Sequence, residues 1–138
     1  TDLLNNLANV RLQRGDLDET ERLQRRVLAI YERTLPPGHS EFGYPLVGMA
    51  AVDMARGRPA EAVVWLERAL RVSQGEDVAV SLVGAVRFEL ARALWEEGRD
   101  RPRAAALARE AIAVYRAAPG THTREQAEVE AWLRAHER

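Results

Sequence analysis

The sequence contains no cysteine, no lysine and no long run of apolar residues. Without cysteine the chain cannot form a disulfide or a thiolate zinc site, which suits a reducing compartment, and we expect a cytoplasmic protein. No apolar stretch approaches the ~20 residues of a membrane-spanning helix, and no signal peptide is visible. The net charge is −1, and the arginines are interleaved with acidic residues. We therefore expect no nucleic-acid partner and no membrane insertion.

Residues for catalysis or metal binding are also scarce. None of the histidines has a second histidine three or four residues away, as a helical metal site requires, and none of the serines lies in a Gly-x-Ser-x-Gly turn. These residues are His39, His122 and His136, and Ser40, Ser73 and Ser81. Adjacent carboxylates such as Glu96 and Glu97 lie near predicted helix ends, where solvation is their usual state. We therefore expect no enzymatic activity, no cofactor and no metal.

What the sequence does contain is a periodic pattern. Gly15, Gly57 and Gly98 recur about 42 residues apart. An apolar residue followed by alanine stands seven or eight positions before each glycine, and a second apolar pair follows it. These pairs are Leu7-Ala8, Met49-Ala50 and Leu90-Ala91 before the glycines, and Val27-Leu28, Ala69-Leu70 and Ala111-Ile112 after them. A fixed period of this length indicates stacked structural repeats.

Helical spacing of the apolar residues within each unit predicts an all-α fold. Each unit reads as a helix, a turn at the glycine and a second helix, and nothing alternates with the period of a strand. We expect repeat one at 1–40, repeat two at 41–77 and repeat three at 78–119. A capping helix should follow at 123–137, opened by a capping box of Thr123 and Gln126. The chain begins at Thr1 rather than methionine, so we expect a fragment of a longer protein.

This pattern resembles the tetratricopeptide repeat. Small residues stand where paired helices approach closely, and they are Ala8, Ala50 and Ala91 in the first helices and Ala62, Ala69, Ala104 and Ala111 in the second. The loop Leu35-Pro36-Pro37-Gly38-His39-Ser40 is similar to that of the kinesin-light-chain type of about 42 residues. The resemblance implies a right-handed superhelix that binds a protein or peptide partner in its concave groove.

A second resemblance concerns the third unit. Residues 87–95, 98–101 and 105–109, with the closing stretch 128–133, look like the last repeats behind the catalytic domain of bacterial serine/threonine kinases of the myxobacterial type. The chain itself has no kinase motif, since it lacks lysine, a His-Arg-Asp triplet and a glycine-rich phosphate loop. The resemblance implies a docking or sensing module of a larger signalling protein, or an arm that regulates an attached kinase.

In the tetratricopeptide family the groove is lined by residues that flank the core Leu-Ala of each first helix. Asparagines can hold a peptide backbone, an arginine can bind a carboxylate, and aromatic residues are common interface anchors. Mapped onto this chain, the groove residues are Asn5, Asn9, Tyr44, Val47, Met54, Phe88, Arg92 and Trp95.

Three alternatives accompany this interpretation. Phe88 and Trp95 can instead pack against the last helix as core residues. The first unit has no helix before it to cover Leu3, Leu7 and Val10, so a homodimer through this end is an alternative function. Where the family usually has an aromatic residue, the chain has Arg11 and Asp53, and we expect either an ion pair between repeats or two solvated side chains.

Overall fold

A computed structural model describes residues 14–75, 77–118 and 120–137. The described residues form helices without any strand, which confirms the predicted all-α class. The α-helices are α1 (Arg14–Thr34), α2 (Gly43–Ala55), α3 (Pro59–Val72), α4 (Val80–Glu97), α5 (Arg101–Arg116) and α6 (Thr123–His136). A short 3₁₀ helix, Ser40–Phe42, leads into α2. The predicted helix before Arg14 lies outside the described residues.

Proline and glycine set most helix boundaries where the sequence predicts them. The helix α1 ends just before Pro36-Pro37-Gly38, because the first proline disfavours helical conformation in the residue before it. Pro59 opens α3 at a position where its missing N–H is not needed. Gly57 and Gly98 take φ of +73° and +79°, and the Gly98 N–H bonds back to α4.

Two predicted helix boundaries are wrong. Gly15 does not end a helix, since it lies within α1, and a glycine inside a helix costs only about 1 kcal/mol relative to alanine. Thr123 is the first residue of α6 rather than its cap. The preceding residue His122 supplies the capping carbonyl, which accepts a hydrogen bond from Gln126 N–H at 2.9 Å. The Gln126 side chain donates forward to Glu130 rather than back toward the helix start.

Each helix packs against the next along the chain, and α2 also contacts α4. The buried core runs through all six helices, with Leu46, Leu66, Leu82 and Leu90 almost completely covered. The alanines predicted at close helix approaches are buried, and these are Ala50, Ala62, Ala69, Ala91, Ala104 and Ala111. The contact of α2 with α4 brings first helices of successive pairs side by side, as stacked repeats require.

The contact between α4 and α5 is among the helix contacts that are closer than alanine would permit. A Cβ added to Gly84 on α4 would lie 2.3 Å from Cζ of Tyr115 on α5. The Tyr115 ring therefore lies directly over the α4 backbone, and burial, with contributions from Glu125, Glu128 and Glu89, raises its pKa to about 12. Among the described helices, none is long and apolar enough to cross a bilayer.

Candidate partner-binding groove

The residues predicted to line the groove differ in how exposed they are. Asn5 and Asn9 lie outside the described residues. Val47 is wrong as a groove residue, because it is 0% exposed and belongs to the core between α2 and its neighbours. Phe88 is also wrong as an exposed anchor, because it is buried and meets the ring of Trp132 edge-on at 5.9 Å.

The other four predicted residues retain exposed surface. Tyr44 and Met54 on α2, and Arg92 and Trp95 on α4, are half-buried. Burial raises the pKa of Tyr44, with smaller contributions from Glu41 and Tyr31, so its hydroxyl is protonated and can donate a hydrogen bond. These four residues lie on α2 and α4, and the two helices contact each other.

Arg92 is the only charged residue in this set. Its Nη1 donates to Glu89 Oε1 at 3.2 Å, and its guanidinium carbon lies 5.5 Å from the centre of the Phe88 ring. The ring and the carboxylate hold the guanidinium at the surface of α4. Because a guanidinium has five N–H donors, Arg92 has donors beyond this one for an acidic group of a partner.

Trp95 belongs to an aromatic cluster that joins α4 to α6. Its ring meets those of Trp132 and His136 edge-on, at 5.8 Å and 5.3 Å. The Arg101 guanidinium lies 4.8 Å from the centre of the Trp95 ring. His136 stacks on Trp132 at 4.4 Å, and its Nδ1 donates a 2.7 Å hydrogen bond to the Trp132 carbonyl. These contacts are those of the alternative in which Trp95 and Phe88 pack against the last helix.

Asp53 has a different environment from the one the sequence suggests. Its carboxylate is buried and accepts a 2.9 Å hydrogen bond from Trp65 Nε1 on α3. Burial raises the pKa of Asp53, and the Trp65 hydrogen bond opposes this effect. Arg11 lies outside the described residues, so the Arg11–Asp53 ion pair stays a prediction. The sequence signal for Trp65 is weak, since Leu23 and Leu107 occupy its place in the other units.

Ion pairs that sequence reasoning missed connect successive helix pairs. Glu67 on α3 accepts hydrogen bonds from both terminal nitrogens of Arg103 on α5, one of them at 2.8 Å. The Arg103 hydrogen bonds lower the pKa of Glu67. Arg56, at the end of α2, likewise pairs with Asp18 and Glu21 on α1. These opposite charges lie more than thirty residues apart, where the sequence offers many other pairings.

The histidines serve local structure. His39 precedes the 3₁₀ helix, and its Nδ1 accepts a 3.1 Å hydrogen bond from Glu41 N–H. His122 stacks on Tyr115, with ring centres 5.5 Å apart. In the described part of the chain, no group of three or more potential metal ligands comes together.

One comparison with known protein families found a match to part of the chain. Residues 1–41 match the family model of the tetratricopeptide repeat. This match includes the whole of the first predicted repeat, 1–40, and the whole of α1. No curated protein and no solved structure matches the chain. Tetratricopeptide repeats generally mediate protein–protein interactions, so the matched unit supports a binding role.

Proposed function

We propose that this chain is a protein–protein interaction module that binds an extended or helical segment of a partner protein, in the cytoplasm. The units at 41–77 and 78–119 are proposed as further tetratricopeptide repeats of the 42-residue kinesin-light-chain type. Three such pairs, closed by α6, would form a right-handed superhelix. The concave surface of that superhelix is the proposed binding groove.

The observation that carries this proposal is the side-by-side packing of α2 and α4, the first helices of successive pairs. In a repeat stack these helices line the concave surface. They contribute the half-buried side chains of Tyr44, Met54 and Arg92. An arginine beside apolar and aromatic surface suits a partner segment that has an acidic side chain next to an apolar one. An affinity in the micromolar range, about −8 kcal/mol, would be ordinary for such a site.

The experiment begins by selecting peptides on the wild-type chain from a phage-displayed random library. Binding of the selected peptides is then measured by calorimetry with Arg92→Ala and Met54→Ala. We expect each substitution to weaken binding by about tenfold, since each removes one anchor, while the circular dichroism spectrum stays unchanged. Arg124→Ala, an exposed substitution on α6, is the control and should bind as the wild type does.

Equal affinities for the wild type, Arg92→Ala and Met54→Ala would show that the peptides bind elsewhere. Trp95→Ala is a poor substitute for these variants. Its ring contacts Trp132 and His136, so its loss would also disturb the attachment of α6.

Self-association is a second candidate function. Leu23 and Ile30, seven residues apart on one face of α1, are 49% and 46% exposed. These exposed apolar side chains on α1 could pair with a second copy of the chain. Sedimentation at several concentrations tests this proposal with the wild type and the Leu23→Lys/Ile30→Lys variant. A wild-type protein that stays monomeric at all concentrations would rule out the dimer.

The resemblance of the third unit to kinase-associated repeats supports one more alternative, an arm that regulates an attached kinase. Kinase activity of a full-length protein with and without this region would test it, and equal activities would reject it.

A further inference from the structure

The helix α6 contacts a part of α4 that belongs to the proposed groove. Phe88 and Trp95 occupy groove positions of the family register, and the Trp132 ring of α6 meets both of them edge-on, at 5.9 Å and 5.8 Å. Arg92 lies beside this contact, since its guanidinium carbon is 5.5 Å from the centre of the Phe88 ring. A helix of the chain itself therefore occupies aromatic surface next to the charged residue of the groove.

The side of α6 that packs on the core has the pattern of a docked amphipathic helix. Val129, Trp132, Leu133 and His136 follow each other at the spacing i, i+3, i+4 and i+7, which places them on one face. All four are buried or half-buried, and the His136 ring meets that of Trp95 at 5.3 Å. Partner helices that dock in apolar grooves present anchors at this same spacing. The α6 contact therefore shows which side chains fit this surface of α4.

The attachment of α6 is weaker than that of its neighbours. Val129 is the one buried residue of Thr123–His136, whereas α4 and α5 bury eight and seven residues. Two ion pairs join α6 to α5, but their side chains remain partly exposed, and such pairs contribute little to stability. Elements with few buried apolar contacts open at a lower free energy than the core does. We therefore expect α6 to detach and reattach while α1 to α5 stay folded.

From this overlap we propose that α6 is a displaceable cover of the groove, which a helix of a partner protein replaces on α4. The displacing helix would have an aromatic residue at the place of Trp132 and apolar residues at the places of Val129 and Leu133. It must bind more tightly than α6 does, because α6 is tethered and has a high effective concentration. An identical helix from a second copy lacks this advantage, so the occupant is a different protein. The inference rests on the proposed groove and adds the regulation of its α4 half.

The test uses two variants of the whole chain, in which α6 is either locked or loosened. Because the chain has no cysteine, Arg109→Cys/Glu137→Cys can be closed selectively with a short bismaleimide, which ties the far end of α6 to α5. The same variant capped with N-ethylmaleimide is the matched control. Trp132→Ala loosens α6 by removing its aromatic contacts with α4. The probe is a fluorescent synthetic peptide with the sequence of residues 123–137, and its binding is measured by anisotropy.

We expect the probe to bind Trp132→Ala at least tenfold more tightly than it binds the wild type, because the apparent affinity rises with the fraction of detached α6. The locked chain should bind the probe at least tenfold more weakly than the capped control does. A probe that itself has the Trp132→Ala change should bind none of these proteins. The comparison of locked and capped chains does not depend on the stability of Trp132→Ala.

Equal binding by the locked chain and the capped control would overturn the proposal, and so would a failure of the probe to bind Trp132→Ala. A wild type that dimerises in sedimentation, and that the lock keeps monomeric, would also overturn it, since the displacing helix would then be α6 of a second copy. These results are separate from the test of the groove itself. Library peptides that ignore Arg92→Ala and Met54→Ala would refute the groove without changing how the probe binds.

Discussion

Trp65 on α3 donates its indole N–H to the carboxylate of Asp53 on α2, at 2.9 Å. The Asp53 side chain is inside the second helix pair, where it is 8% exposed. Burial is the largest influence on its pKa and raises it, Glu61 and Glu21 act in the same direction, and the hydrogen bond from Trp65 opposes them. The second helix pair therefore contains a carboxyl group whose ionisation is less favourable in the folded chain than in the unfolded chain.

We predict that Asp53→Asn raises the free energy of unfolding at pH 7. Asparagine keeps an oxygen that accepts the Trp65 hydrogen bond and removes the buried charge. The raised pKa means that the folded state binds this proton more tightly than the unfolded state. The contribution of Asp53 to stability is therefore complete below its ordinary pKa of 3.8 and is lost as the pH rises through the folded value.

Urea denaturation of the wild type and Asp53→Asn across a pH series measures this effect. The difference between the two proteins should grow as the pH rises and then level off. Trp65→Phe is the companion variant, and it should destabilise the wild type by about 1–3 kcal/mol because it leaves the carboxylate without this donor. A pH-independent difference would contradict the prediction.

The Glu67–Arg103 pair should titrate in the opposite direction. Its hydrogen bonds lower the pKa of Glu67, so the stabilisation is present above the ordinary pKa of 4.5 and is lost as the pH falls through the folded value. Glu67→Gln and Arg103→Gln should each lower stability, and their double-mutant cycle should give a coupling of about 1 kcal/mol at pH 7, because both side chains are about one-third exposed. Denaturation midpoints at pH 7 and pH 3 provide the test. A coupling that persists unchanged at pH 3 would show that charge does not hold these helices together.

Gly84→Ala should destabilise the chain despite the better helix propensity of alanine. The added Cβ would overlap the Tyr115 ring, and overpacking of this kind costs about 1–3 kcal/mol, which exceeds the propensity gain. Thermal unfolding followed by circular dichroism measures the loss. In a Tyr115→Leu background the same Gly84→Ala change should be neutral or stabilising. Equal losses in both backgrounds would exclude the ring contact as the cause.

Trp132→Ala should detach α6 from α4. The ring contacts Phe88, Trp95 and His136, and its removal should cost about 3 kcal/mol. We expect a reduced near-ultraviolet circular dichroism signal and faster proteolysis at the loop before α6, with helices α1 to α5 retained. Ala131→Ser, on the exposed side of the same helix, should leave both measurements unchanged. Unaltered proteolysis in Trp132→Ala would show that other contacts are sufficient to hold α6.

The helices were predictable because their signals are local. Helix boundaries at Pro36, Pro59 and Gly98 follow from the φ angles that these residues allow and from missing or redirected backbone hydrogen bonds. Both effects can be predicted from the residue type alone. Gly15 misled the prediction because its place in the period matches Gly57, although glycine is also tolerated in the first turn of a helix. Burial of the predicted alanines was also predictable, because the spacing of the repeats places them where paired helices meet.

The groove was less predictable because exposure depends on distant neighbours. Val47 and Phe88 occupy family groove positions, but the neighbouring helices of this chain cover them. Arg92 and Met54 remain half-exposed under the same register. The pairing of Glu67 with Arg103 likewise depends on the angle between successive helix pairs. No local stretch of sequence determines that angle. Residue type therefore indicated candidates, and packing decided among them.

The turns at Gly57 and Gly98 are suitable positions for a D-amino acid in a chemically synthesised chain. Both have positive φ, and nothing lies within 4 Å of the position where a Cβ would be. Their restriction is therefore one of handedness and not of space. A D-alanine fits such a backbone without strain and limits the unfolded chain more than glycine does. A semisynthetic protein with D-alanine at either turn would keep its fold and become more stable, whereas L-alanine there would weaken it.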